Sequence, residues 1–115
     1  MFDRLEIFAL ASARAQHAAA RQAVVAQNIA NADTPGYRAR DITSFENAWR
    51  ALQSPTAGHP SPLRSIDAGT PASPNGNTVS LELEMLRGIE AQRAHSRALQ
   101  IYGSAMSILR TSIGR

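Results

Sequence analysis

The sequence contains no cysteine and no lysine. Without cysteine there is no disulfide framework and no thiolate site for zinc or an iron–sulfur cluster. Aromatic residues are few: three Phe, two Tyr and one Trp. No apolar run approaches the roughly 18 residues that a membrane-spanning helix requires. Bulky apolar side chains are sparse, and 21 of the 115 residues are alanine, which buries little area. These shortages exclude a large core. What remains is a strong helix former with little hydrophobic payload of its own. All basic side chains apart from histidine are arginine, twelve against nine Asp plus Glu, for a net charge of +3.

Ala11-Ser12-Ala13 has the small-residue form of a signal-peptidase site. The residues before it include Asp3 and Glu6, and the apolar run Ile7–Ala11 is five residues long. A hydrophobic signal core needs ~7–15 residues behind a basic start. A cleaved secretory signal is therefore not expected.

The chain divides into three zones, 1–33, 34–79 and 80–115. The first has neither Gly nor Pro. Phe8, Ala11, Ala15, Ala18, Gln22, Val25, Ile29 and Ala32 recur at alternating steps of three and four, the seam of one long helix. The middle zone holds all six prolines and four of the seven glycines. Its stretch Gln53–Asn77 reads as a mobile, irregular loop. One island stands out. Thr43-x-x-Glu46 has the form of a capping box, and Phe45, Trp49 and Leu52 follow at helical spacing. A short amphipathic helix over 44–52 is expected, either covering one side of the helix pair or docking onto another subunit with Trp49 as anchor. The last zone opens with Ser80 as N-cap and with Glu82 and Glu84 as partners of the helix dipole. Its expected seam includes Leu81, Met85, Gly88, Gln92, His95, Leu99, Tyr102, Met106, Leu109 and Ile113. A second stripe, Ala94, Ala98, Ile101, Ala105 and Ile108, lies beside it. A helix with one partner needs one stripe, so two stripes call for more than one neighbour. The expected fold is all-α: long N- and C-terminal helices packed as a coiled-coil-like pair, joined by a Pro/Gly/Ser-rich, largely irregular loop with one short helix. Its thin internal seam points to a chain completed by packing against copies of itself or relatives.

Catalytic patterns are missing. There is no G-x-S-x-G, no phosphate-binding loop and no G-x-G-x-x-G. His17, His59 and His95 have no metal-ligand spacing. No catalytic residue, cofactor, metal or small-molecule substrate is expected. The arginine excess raises a second reading, a small basic helical module for DNA binding or oligomerisation. The arginines are dispersed and interleaved with Asp and Glu, so nucleic acid is not the expected partner.

The most distinctive stretch is Asn28-Ile29-Ala30-Asn31-Ala32-Asp33-Thr34-Pro35-Gly36-Tyr37. Asn31 and Asp33 favour a helix end and Pro35 cannot continue it. Pro35-Gly36 suits the centre of a type II turn, and Tyr37 places a ring and a hydroxyl where the chain leaves. The asparagines can cap orphan carbonyls or bond a neighbouring chain. With Tyr37–Ile42 this stretch resembles the N-terminal signature of bacterial flagellar axial proteins, the rod, hook and hook-associated subunits. It is most similar to rod proteins. Gly76-Asn77-Thr78-Val79, followed by Glu84-Met85 and a long final helix, resembles their C-terminal segment. The resemblance covers both terminal helices, roughly 70 residues of the kind that pair in axial structures. It implies that the terminal helices pack in the inner tube of the axial structure. It implies as partners the chain itself, other rod subunits, junction proteins at the membrane ring and export gate, and the flagellar export apparatus. It implies residence in the basal body's periplasmic rod, reached without a cleaved signal. Asn28, Ile29, Ala30, Asn31, Thr34, Pro35, Gly36 and Tyr37 would form the assembly motif.

Overall fold

The computed structural model describes residues 2–53 and 64–114, without the side chains of residues 2–4. Residues 54–63, including Gly58–Pro62 of the expected loop, lie outside the described residues, as do Met1 and Arg115. The elements are α1 (Phe2–Ala30), β1 (Arg40–Ile42), α2 (Phe45–Gln53), β2 (Ser65–Asp67) and α3 (Leu81–Ile113). The long helices α1 and α3 pack against each other as an antiparallel pair. Phe8 meets Tyr102 edge-on with ring centroids 5.1 Å apart. Near the other end, Val25 faces Gly88. The molecule is a slender body of 64 × 32 × 15 Å.

The contact line is made of small residues. Ala11, Ala18 and Val25 are buried on α1, and Ala91 and Ala98 on α3. Each set is spaced by seven residues, the repeat that keeps one face of a helix on its neighbour. Small side chains let the two axes approach closely. This line differs from the α3 seam expected from the sequence. Gly88, His95, Tyr102 and Leu109 border it, but its centre runs through Glu84, Ala91 and Ala98. Met106 is half-buried. Leu81, Met85 and Leu99 are 52%, 62% and 52% exposed, and Ile113 is 75% exposed. Close approach to an alanine line selects alanine and glycine at the centre and turns bulky residues to the flanks. On α1, Phe8 is half-buried, Val25 is buried and Ile29 is exposed.

The middle zone is more ordered than its composition suggests. β1 and β2 form a two-stranded antiparallel ribbon with Arg40 opposite Asp67, Asp41 opposite Ile66 and Ile42 opposite Ser65. The Thr43 N–H donates to the Arg64 carbonyl and the Ala68 N–H to the Ala39 carbonyl, extending the pairing at both ends. Beyond it, 68–79 is tied to the end of α1 by backbone bonds, Gly36 N–H to Asn75 O and Thr78 N–H to Tyr37 O. Helix α2 begins at Phe45, but Thr43 is not its cap. The Thr43 hydroxyl donates to Arg64 O, and Ser44 accepts from the Asn47 N–H instead. Thr43 is taken up by the ribbon, which leaves the cap to the next hydroxyl along the chain. Ala48 of α2 is buried; Phe45 and Trp49 are half-buried and Leu52 is exposed. Phe45 packs edge-on to His17 and stacks with Trp49 at 5.9 Å, with the Arg14 guanidinium 4.3 Å from its ring centre.

Candidate functional site: the polar junction at the closed end of the helix pair

Four polar side chains are buried among the described residues: Asn28, Asn77, Thr78 and Glu84. All four sit where α1 ends, β1 begins and α3 starts. Asn28 is at their centre. Its amide nitrogen donates to the Arg40 carbonyl at 2.7 Å and to Glu84 Oε1 at 2.9 Å. Its oxygen accepts from the Tyr37 hydroxyl and from the Arg40 N–H, both at 3.1 Å. Two donors and two acceptor sites are all that a primary amide offers, and all are used. Toward β1 the side chain does what a neighbouring strand would do. It pairs both backbone groups of Arg40 on the edge away from β2, so that edge is closed.

Glu84 is fully buried, and its other oxygen accepts from Arg87 Nη1 at 2.7 Å. It keeps the first-turn position expected of a helix-dipole partner, and its burial adds a second role that the dipole alone does not require. It lies in the first turn, but on the face turned to α1. Arg87 also approaches Asp41 at 3.7 Å. Asp41 is bonded by Arg21 at 3.1 Å, and Arg21 reaches Glu90 at 3.3 Å. Two guanidiniums thus alternate with three carboxylates across α1, β1 and α3. Their burial is balanced by opposite charge and by hydrogen bonds, and no buried side-chain nitrogen or oxygen among the described residues lacks a partner.

The turn that delivers Tyr37 is built as its residues dictate. Gly36 has φ +74°, and the Tyr37 N–H returns to Thr34 O at 3.2 Å. That is the i to i+3 bond of a type II turn, whose third position needs a positive φ that glycine adopts without strain. Asn31 caps α1 by donating to Gln27 O at 2.8 Å and accepts from the Thr34 hydroxyl. Asn77 then clamps the turn from the other side, donating to Asn31 O at 2.9 Å and Thr34 O at 2.7 Å. Thr78 accepts from the Ala39 N–H at 2.7 Å, and its carbonyl accepts from the Thr70 hydroxyl. Within the motif, Asn28 and Tyr37 turn inward, whereas Ile29, Ala30, Thr34, Pro35 and Gly36 are exposed. The structure does not bring Phe45, Trp49 and Leu52 to this junction; they lie further along α1, against His17 and Ala13.

Reading by residue type missed Arg21, Asp41, Glu84 and Arg87 as one network. One signal was present. Glu84 precedes Ala91 and Ala98 by steps of seven, which places it on the alanine face. Among the described residues no group of three or more His, Asp or Glu is arranged to hold a metal ion. No helix among the described residues is long and apolar enough to cross a membrane. A slender helix pair with an alanine interior, bulky apolar flanks and a fully satisfied polar junction defines a helical packing subunit.

The comparisons with known proteins agree with that class. The sequence model of the family described as flagella basal body rod protein matches residues 9–38. The flagellar basal body rod protein FlgB of Salmonella typhimurium is 30% identical over 108 residues, 76% of this chain and 78% of that protein. FlgB of Agrobacterium fabrum is 47% identical over 47 residues, 41% of this chain and 35% of that protein. FlgB of Escherichia coli is 57% identical over 35 residues, 30% of this chain and 25% of that protein. The chain belongs to the flagellar basal body rod protein family, a family of structural proteins rather than enzymes.

Proposed function

We propose that this chain is a structural subunit of the bacterial flagellar basal body. In this reading it builds the proximal rod by helical packing with copies of itself and with other rod subunits, and motility requires it. The observation that carries the reading is the pair of unpartnered apolar flanks on α3. Leu81, Met85 and Leu99 stand exposed on one side, and Leu86, Ile101 and Ile108 on the other. Apolar residues collected on two sides of one helix mark interaction surfaces. The exposed motif residues Ile29 and Pro35 and the exposed Leu52 of α2 offer further contacts, with Trp49 as the anchor of α2. The chain reaches the periplasmic rod through the flagellar export apparatus without a cleaved signal, and meets junction proteins of the membrane ring there. The test is a deletion strain, complemented by the intact gene, scored for motility and for basal bodies by electron microscopy. Loss of motility and of rods, both restored on complementation, is expected. A motile deletion strain with normal basal bodies would overturn the reading.

A further inference from the structure

We propose that the polar junction, rather than the apolar contact, sets the register in which the two long helices pair. The apolar line is nearly blind to register. On α3 the buried Ala91 and Ala98 are followed, seven residues on, by the half-buried Ala105. Sliding α3 by one heptad, ~10 Å at 1.5 Å per residue, puts alanine where alanine was. Ala98 replaces Ala91 and Ala105 replaces Ala98. At the far end, Leu109 replaces Tyr102 beside Phe8, one apolar side chain for another.

The junction distinguishes the two arrangements. In the slid pair Ala91 takes the place of Glu84, which strands the Asn28 amide. Asn77 leaves the carbonyls of Asn31 and Thr34, and Thr78 leaves the Ala39 N–H, all of which it or Asn77 satisfies in the native pair. A buried polar group that loses its partner bears the full desolvation penalty. The slide also sets His95 where Gly88 faces Val25. The opposite slide drives the Glu84 carboxylate into the alanine line. Single buried polar residues are known to fix register in coiled coils by this means. Here all four buried polar side chains among the described residues stand at one end of the pair, so the register is decided there.

The chain has no cysteine, so engineered pairs report register cleanly. A Cβ built on Gly88 lies 3.5 Å from Val25 Cγ1, so Val25→Cys with Gly88→Cys reports the native pair. Val25→Cys with His95→Cys reports the slid one. Each pair is placed in the otherwise native full-length chain, in an Ala18→Gly chain, and in a junction variant carrying Asn28→Leu, Asn77→Ala and Glu84→Leu. Cross-linking in dilute solution traps the register even where the pair is partly populated, and circular dichroism follows helix content. The native chain is expected to cross-link at 25–88 alone. Ala18→Gly lowers thermal stability without changing that pattern. The junction variant keeps its helices while the 25–88 product falls at least about tenfold and the 25–95 product appears. Four results overturn the proposal: a junction variant still linked only at 25–88, one that loses both products together with its helix signal, the same shift in Ala18→Gly, or a native chain without the 25–88 link.

Discussion

Asparagine is a poor residue for a helix interior, because its short amide competes for backbone partners. At position 28 that cost is offset by four hydrogen bonds, to β1, to α3 and to the Tyr37 hydroxyl beyond the turn. Asn28→Ala removes them and leaves the Arg40 N–H and carbonyl without their side-chain partner. We expect a loss of about 3–4 kcal/mol, read as a lower urea midpoint. Asn28→Asp should do no better, since a second carboxylate would face Glu84. Gly36→Val forces a β-branched residue to φ +74° and should stop rod formation, with a local cost of at least about 1–2 kcal/mol. Wild-type basal bodies in that strain would contradict the role given to the turn. These two residues also mark what was legible. Pro35-Gly36 announces its turn because few other residue pairs adopt those angles. Glu84 announces itself only by its seven-residue spacing from Ala91 and Ala98, since a first-turn glutamate facing solvent and one buried against Asn28 are otherwise spelled alike. What separates them is a partner 56 positions away.

At the level of elements, the long helices were readable from period and composition, and α2 from its aromatic spacing. The ribbon was not. Arg40–Ile42 and Ser65–Asp67 are three residues each, two of them polar in each strand, so no alternation could develop, and their pairing is decided by tertiary position. The ribbon carries a checkable electrostatic feature. The Asp67 carboxylate accepts from Arg38 Nε at 2.6 Å and from the Gly69 N–H at 2.7 Å, and these two donors hold its carboxyl below the usual carboxylate range. A lowered folded value means that this contribution is present above the ordinary value of about 3.9 and is lost as pH falls through the folded one. Protection of the Ala68 amide, taken relative to its intrinsic exchange rate at each pH, should therefore fall in acid, and Asp67→Asn should remove that fall. For α2, the half-buried Trp49 stacked on Phe45 leaves one edge of the element for a neighbour. Trp49→Ala should reduce swarming while secretion of the chain continues. Normal swarming would remove α2 from the set of docking elements.

For the whole molecule the balance lies between a thin interior and broad apolar flanks. Exposed leucines, isoleucines and methionines outnumber the large apolar residues buried between α1 and α3. Assembly should supply the missing burial. Met85→Ser with Leu99→Ser is expected to weaken self-association in sedimentation while leaving the helix content of the dilute chain unchanged. A loss of helix in dilute solution would mean that this flank supports the protomer itself. Of the second stripe expected on α3, Ala98 lies buried at the contact line and Ala105 half-buried, while Ala94, Ile101 and Ile108 stand exposed beside it. The displacement of that centre toward Glu84, Ala91 and Ala98 was hidden because hydropathy rewards bulk, whereas close helix approach rewards smallness.

The junction joins residues far apart in the chain, and that has a kinetic consequence. Closing the loop between Asn28 and Glu84, a separation of 56, costs about 3–4 kcal/mol of chain entropy before any of its bonds form. During synthesis the first helix leaves the ribosome with nothing to pair with, and a nascent chain cut short of Glu84 has no means of choosing an alignment. The folding step that matters is therefore late and long-range, however quickly each helix coils by itself.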